Sequence, residues 1–527
     1  VLAELSWDAR VQASEIGVPV AGGIAGLSTG RLAMNDDDTP IGNNGNVEAA
    51  SGLQNYAGGL VGRSAGEIKF SAESTNTGTV TVNAPGSAGA EAGGLIGSME
   101  GPLEDPVFVT NFTNTGNITN TGGTNVYTGG LAGSIHAAFH WSEPFTNAVE
   151  ITASGASEVH TGGAVGKATA EIRFLSEVQN AGAITVNGAA AGQPQEAYTG
   201  GLVGSTTDRL FFENEDDLAY GNSGAITVSG GAGLYTGGIA GNAAYVNADG
   251  NPSVNVFSVG PIEVSGLSML RTGGFIGMLP LSAVDRSVAG AEYGAEITVT
   301  AGDSEAAESA STGGIVGYAE DALIKDASFT GKIESTGGGA GTSTGGIVGR
   351  LSGGRVENSF SGHTEADPAE IASHGAAGGI AGRMENDAEA VTVAVANLVL
   401  AARAQDAFLG GVAGIAQGTI QDAVVGDAGE TAVHTVEFLA AVDDAPGDED
   451  RLSAGGIVGK NEGALTIVDS LATKLLFTVA DGRTEYAFGG VAGRLYAGAA
   501  VGLADAPVIV TGLDVAAESP GAMLGGA

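Results

Sequence analysis

The chain has 527 residues, 91 of them glycine and none cysteine, with 60 acidic against 20 basic side chains and a formal charge of −40. The missing cysteines exclude disulfides and thiolate metal sites and are compatible with bacterial export, while the charge repels phosphate and excludes nucleic acid as a partner. Hydrophobic content of 43% argues against disorder, and no collagen triplet accounts for glycine at more than twice its usual share of about 7%.

From the N-terminus onward the motif Gly-Gly-aliphatic-x-Gly recurs fourteen times. The copies open at Gly22, Gly58, Gly93, Gly129, Gly162, Gly200, Gly237, Gly273, Gly313, Gly345, Gly378, Gly410, Gly455 and Gly489, at intervals of 32 to 45 residues. Such a period marks an array in which each unit buries its apolar face only against its neighbours. About 14 repeats of about 36 residues are predicted, spanning 1–527 as a single continuous array. Both ends cut through a repeat, so the chain reads as a segment of a larger protein.

Each interval contains a second signature. Asn76-Thr-Gly78-Thr-Val80-Thr-Val82, Asn180-Ala-Gly182-Ala-Ile184-Thr-Val186 and Asn222-Ser-Gly224-Ala-Ile226-Thr-Val228 alternate apolar residues with Thr at period two. That is the pattern of a half-buried strand. A second strand lies upstream, as in Glu171-Ile-Arg-Phe174, and the glycine motif supplies a third, as in Thr344-Gly-Gly-Ile347-Val-Gly349. Three short strands per repeat are therefore expected, and no helix.

Glycine at the bend allows a sharp turn and close approach of adjacent coils. The aliphatic residue behind it (Leu60, Leu95, Leu131, Leu202, Ile239, Ile315, Ile347) is predicted to point inward and stack on its counterpart one coil away. Asn at the second turn tolerates left-handed backbone and can hydrogen-bond its own backbone or the Asn above it. The fold class predicted is all-β, a right-handed parallel β-helix, or β-solenoid. A propeller fits worse, because fourteen units exceed any usual blade number.

The stretch Gly345-Gly-Ile-Val-Gly-Arg-Leu-Ser-Gly-Gly-Arg-Val-Glu-Asn-Ser-Phe-Ser-Gly362 resembles the GLUG-motif repeats of bacterial surface and secreted proteins. So does Gly313-Gly-Ile-Val-Gly through Ser328-Phe-Thr-Gly331-Lys-Ile333. The resemblance runs along nearly the whole chain, with weaker copies around Gly22, Gly162 and Gly410. It implies a solenoid fold and an extracellular stalk or adhesin role. Such repeats also accompany zinc-dependent immunoglobulin-protease domains, of which no trace is visible here.

Candidate sites are sparse. The acidic runs Asp36–Asp38, Glu213–Asp217 and Asp443–Asp450 fall in predicted loops, and 443–450 occupies the longest interval as a loop insertion. Their carboxylates are of the kind that hold calcium, but none has EF-hand spacing. Solvated loop charge is the simpler reading. The histidines His136, His140, His160, His363, His374 and His434 lie in distant repeats. His136-Ala-Ala-Phe-His140 has ligand-like spacing without the Glu of the zinc-protease helix, and an exposed loop accounts for it better. No Gly-x-Ser-x-Gly elbow or Gly-Lys-Ser/Thr phosphate loop is set in its proper context. The longest uncharged apolar run, Ala390 to Ala402, is shorter than the roughly 20 residues a membrane helix needs.

No catalytic centre, cofactor or membrane insertion is therefore expected in this segment, calcium being the one ligand left open. The favoured function is an extracellular structural or adhesive repeat region at a bacterial cell surface. Its partner would be a surface protein or glycan of a host or neighbouring cell, or copies of itself. A self-assembling fibre or surface-layer subunit and a carbohydrate-active β-helix enzyme are the alternatives.

Overall fold

The computed structural model describes all residues except 1–4, 8–10, 15–17, 30–31, 35–39, 51, 67, 71–72, 101–107, 110–111, 189–195, 214–217, 248–254, 281–286, 303–309, 339–340, 364–366, 404–405, 427–434, 441–450, 480–484, 498, 503–505, 518–521 and 526–527. Among the described residues there is no α-helix. The strands stack in parallel into a β-solenoid. By compactness the chain divides into two units, Val1–Glu263 and Val264–Ala527, and each follows the same plan.

In the first unit one coil shows the rule. Gln54–Gly58 runs into the Gly58-Gly59-Leu60 bend, followed by Val61–Ser64, Ile68–Phe70, Ser74–Asn76 and Val80–Asn83. The coil thus holds more strand segments than the three expected. The paired glycines break the motif strand in two, and the Asn turn separates Ser74–Asn76 from Val80–Asn83. Along Val80–Asn83 the valines are buried and Thr81 points outward, as the alternation requires.

Register is held at the glycines. In the first unit Gly22, Gly58, Gly93, Gly129, Gly162, Gly200 and Gly237 pair in succession. In the second unit Gly273, Gly313, Gly345, Gly378, Gly410, Gly455 and Gly489 do the same, ending on Gly525. Even across the 45-residue interval the strand Arg451–Gly455 returns in register on Ala407–Gly410. The aliphatic residues behind the bend are fully buried: Leu60, Leu131, Leu202 and Ile239 in the first unit, Ile315 and Ile347 in the second. The inward stack expected at that position is therefore present in each unit.

About eleven turns form the stack, fewer than the 14 read from the glycine motifs. In the first coils the strands Leu32–Met34, Ile68–Phe70 and Phe108–Val109 pair only among themselves, in a separate three-stranded sheet. In those coils this strand is present but lies in a ladder of its own, apart from the sheet the other strands share.

The Asn turn behaves as an internal ladder. Asn43 Nδ2 donates to Asn76 Oδ1 at 2.8 Å, Asn76 to Asn114 at 2.8 Å, Asn147 to Asn180 at 2.7 Å and Asn180 to Asn222 at 2.7 Å. Each of these donors also caps a carbonyl two residues ahead, as Asn180 does with Gly182 O at 2.9 Å. Left-handed backbone falls elsewhere, at Asp321, Asp326, Asn358, Asn386 and Asp387 in the second unit. There the column runs Tyr293, Phe329, Ser361, Val395, so two rings, a hydroxyl and an aliphatic side chain replace the amides.

Candidate functional site

Two columns of side chains flank the glycine bend on its outer side. One residue precedes the first glycine by two positions: Tyr56, Glu91, Tyr127, His160, Tyr198 and Tyr235 stand on successive rungs. The other column follows the bend: Arg63, Ser98, Ser134, Lys167, Ser205 and Asn242. Parallel pairing without slip brings chemically different groups from neighbouring coils into contact.

The rings interact along the stack. His160 lies face to face with Tyr198 at 4.6 Å, Tyr198 with Tyr235 at 4.7 Å, and Tyr127 meets His160 edge-on at 5.3 Å. Across the bend, Arg63 sits 5.0 Å over the Tyr56 ring and Lys167 4.8 Å over that of Tyr127, contacts of cation–π type. In the second unit Arg271 lies 3.9 Å over Tyr318, and Arg350, Arg383 and Lys460 are paired with Glu385 and Glu462. The cations of this corner are thus largely neutralised.

Two titratable clusters stand out in the first unit. Glu91 is buried, and its carboxyl accepts from Ser134 Oγ, which lies 2.9 Å from Ser98 Oγ. Burial pushes its pKa up to about 7. Two column positions further on, His160 Nδ1 lies 2.5 Å from Ser205 Oγ, and its Nε2 contacts the Glu158 carboxylate. Lys167 Nζ donates to the same Glu158 oxygen at 2.9 Å and approaches Tyr127 Oη at 3.5 Å. Burial drives His160 down to about 4, whereas its hydrogen bond to Glu158 holds that carboxyl down at about 2. At neutral pH the pair is a neutral imidazole against a carboxylate. Burial works against the Lys167 ammonium, but Glu158 and Tyr127 outweigh it and raise its pKa.

The other histidines do not converge. His136 Nδ1 is 3.4 Å from Thr169 Oγ1, and burial lowers its pKa; His140 lies 3.8 Å from Glu171 on the strand Phe139–Trp141. His374 Nδ1 accepts from Gly337 N at 3.0 Å. His434 lies outside the described residues, as do Asp36–Asp38, 214–217 and 443–450. Glu213 is described: its backbone N–H donates to Phe174 O, and its carbonyl accepts from Tyr220 Oη at 3.2 Å. Among the described residues no group of three metal-ligating side chains occurs.

The flanking columns were missed in the sequence, although a signal was there. His160 stands two residues before Gly162, where Tyr56, Glu91, Tyr127, Tyr198 and Tyr235 stand before theirs.

The molecule is therefore a β-solenoid repeat protein whose polar chemistry gathers at one corner of the coil. Residues 308–334 match the family model of the GLUG motif. That stretch is one register-locked rung among many, so the GLUG motif matched there is one repeat of the array. No curated protein and no solved structure matches it.

Proposed function

We propose that this chain is an extracellular structural or adhesive repeat region of a bacterial cell-surface protein, presenting its variable loops from a rigid solenoid. The observation that carries the reading is register: strands return to the same pairing across intervals from 32 to 45 residues. Loop length and sequence are thus free to vary without disturbing the coil, which is how a scaffold separates recognition from fold. A surface protein or glycan of a host or neighbouring cell is the partner such loops would meet. No described helix is long and apolar enough to cross a membrane.

The test is adhesion. Beads coated with the chain are expected to retain intact cells or immobilised surface glycans, and replacing residues 189–195 or 443–450 by Gly-Ser of equal length should abolish retention with the circular dichroism unchanged. Release of reducing ends from acidic or neutral polysaccharides, lost on changing one carboxylate, would move the assignment to a carbohydrate-active enzyme.

A further inference from the structure

We propose that Ser205, His160 and Glu158 form an acyl-transfer site on the first unit, able to cleave esters of a small acyl group. The three side chains form a chain of contacts in the order nucleophile, base and orienting acid: Ser205 Oγ to His160 Nδ1 at 2.5 Å, then His160 Nε2 to the Glu158 carboxylate. Nucleophile and base within hydrogen-bond reach, with a third group fixing the base, is the arrangement that activates a serine hydroxyl. The carboxylate fixes the tautomer: Nε2 carries the proton and donates it to Glu158, leaving the Nδ1 lone pair to accept from Ser205. Stacking on Tyr198 at 4.6 Å holds the ring plane.

The neighbouring rungs of the same column carry two further polar groups. Lys167 stands one coil before Ser205 in the same column and Asn242 one coil after it. The Lys167 ammonium is anchored on Glu158. Asn242 ends in an amide whose carbonyl oxygen is buried and meets no hydrogen-bond partner. The equivalent rung below is a natural contrast. Ser134 donates to Glu91, which stands where His160 stands two coils later, so that hydroxyl has no imidazole to take its proton.

The step balances with water as the only co-reactant. Ser205 Oγ bonds to the acyl carbon while its proton passes to His160 Nδ1. The imidazolium returns that proton to the departing alcohol as the ester C–O bond breaks. Water, deprotonated by the same nitrogen, then attacks the acyl-serine, releasing the carboxylic acid and restoring the hydroxyl. Ser205 is 4% exposed, so a small acyl group is the one expected to reach it.

The whole chain is incubated with p-nitrophenyl acetate and, separately, with a small alkyl fluorophosphonate, with the labelled peptide located by mass spectrometry. Label is expected on Ser205 and not on Ser134. Ser205→Ala should abolish turnover, His160→Gln should cut labelling about a hundredfold or more, and Ser134→Ala should leave both unchanged. The labelling rate should reach a plateau by about pH 6, because the base is already neutral there. Circular dichroism and melting confirm that each variant is folded. An unlabelled Ser205 in the folded parent overturns the proposal, and so does turnover that survives Ser205→Ala.

Discussion

Glu91 and His160 stand two rungs apart in one column, and burial shifts their pKa values in opposite directions. Glu91 is raised from 4.5 to about 7, so the folded chain keeps a proton that the unfolded chain has released. Its contribution is whole below pH 4.5 and declines as pH climbs to about 7. His160 is lowered from 6.5 to about 4, so the unfolded chain takes up a proton that the folded chain refuses. Its contribution is whole above pH 6.5 and declines as pH drops toward 4. Between 4.5 and 6.5 the two slopes oppose, each about 1.4 kcal/mol per pH unit at most. Glu91→Gln should therefore gain about 3 kcal/mol on the parent between pH 4 and pH 8, measured by urea unfolding. A parent–variant difference that stays flat over that range would mean Glu91 is ionised in the fold. The sequence shows both residues two positions before a Gly-Gly pair. What it conceals is the partner, since Ser205 is 45 residues away and meets His160 only across the bend.

At the scale of the element, the coil rests on its bends and its ladder. A Cβ placed on Gly201 would lie 2.0 Å from Gly238 O and 2.4 Å from Asn222 Cβ. The second glycine of the pair is there because the Asn column packs directly on it. Gly86 is glycine for another reason: its φ is +77° and a Cβ would meet nothing within 4 Å. Gly201→Ala is expected to cost about 3 kcal/mol or more by overpacking against backbone, and Gly86→Ala about 1 kcal/mol through its left-handed angle alone. Equal losses in the two melts would contradict this division. In the ladder, Asn147→Leu strands the buried Asn180 Oδ1, which now accepts at 2.7 Å, and leaves Val149 O without its donor. A loss of about 2–4 kcal/mol follows from the two orphaned groups, and thermal unfolding reads it. The Asn-to-Asn bond was legible from Asn76, Asn114 and Asn180 in the sequence. Its replacement by Tyr293 and Phe329 in the second unit was not, because aromatics at a strand end read equally well as outward residues.

For the whole molecule, parallel coils repeating at the glycines could be read from Gly22 through Gly489, and so could the inward aliphatic stack. The number of complete turns could not. A motif count cannot tell whether Ile68–Phe70 joins the main ladder or a separate three-stranded sheet, since that depends on how the strands around Leu32 and Phe108 are placed. Charge acts at this scale too. An excess of 40 carboxylates places like charges on adjacent coils a few ångströms apart. The screening length falls from about 30 Å at 0.01 M salt to about 3 Å at 1 M. The melting temperature should climb with sodium chloride, and a melt indifferent to salt would show the acids already paired. If the acidic runs 213–217 or 443–450 hold calcium, millimolar calcium adds stabilisation beyond that of matched ionic strength.

Stacking in register is the claim on which the corner columns and the scaffold reading both depend, and the cysteine-free chain makes it directly measurable. Glu48, Thr81, Thr119, Thr152, Thr185 and Thr227 occupy successive rungs of one half-exposed column in the first unit. Spin labels on cysteines introduced in pairs at these sites report the distance by electron paramagnetic resonance. At about 4.8 Å per coil, Glu48 and Thr227 should lie about 24 Å apart, Glu48 and Thr185 about 19 Å, and Thr119 and Thr227 about 14 Å, each with a narrow distribution. Distances that fail to shorten in steps as rungs are removed, or that spread broadly at every pair, would contradict the solenoid.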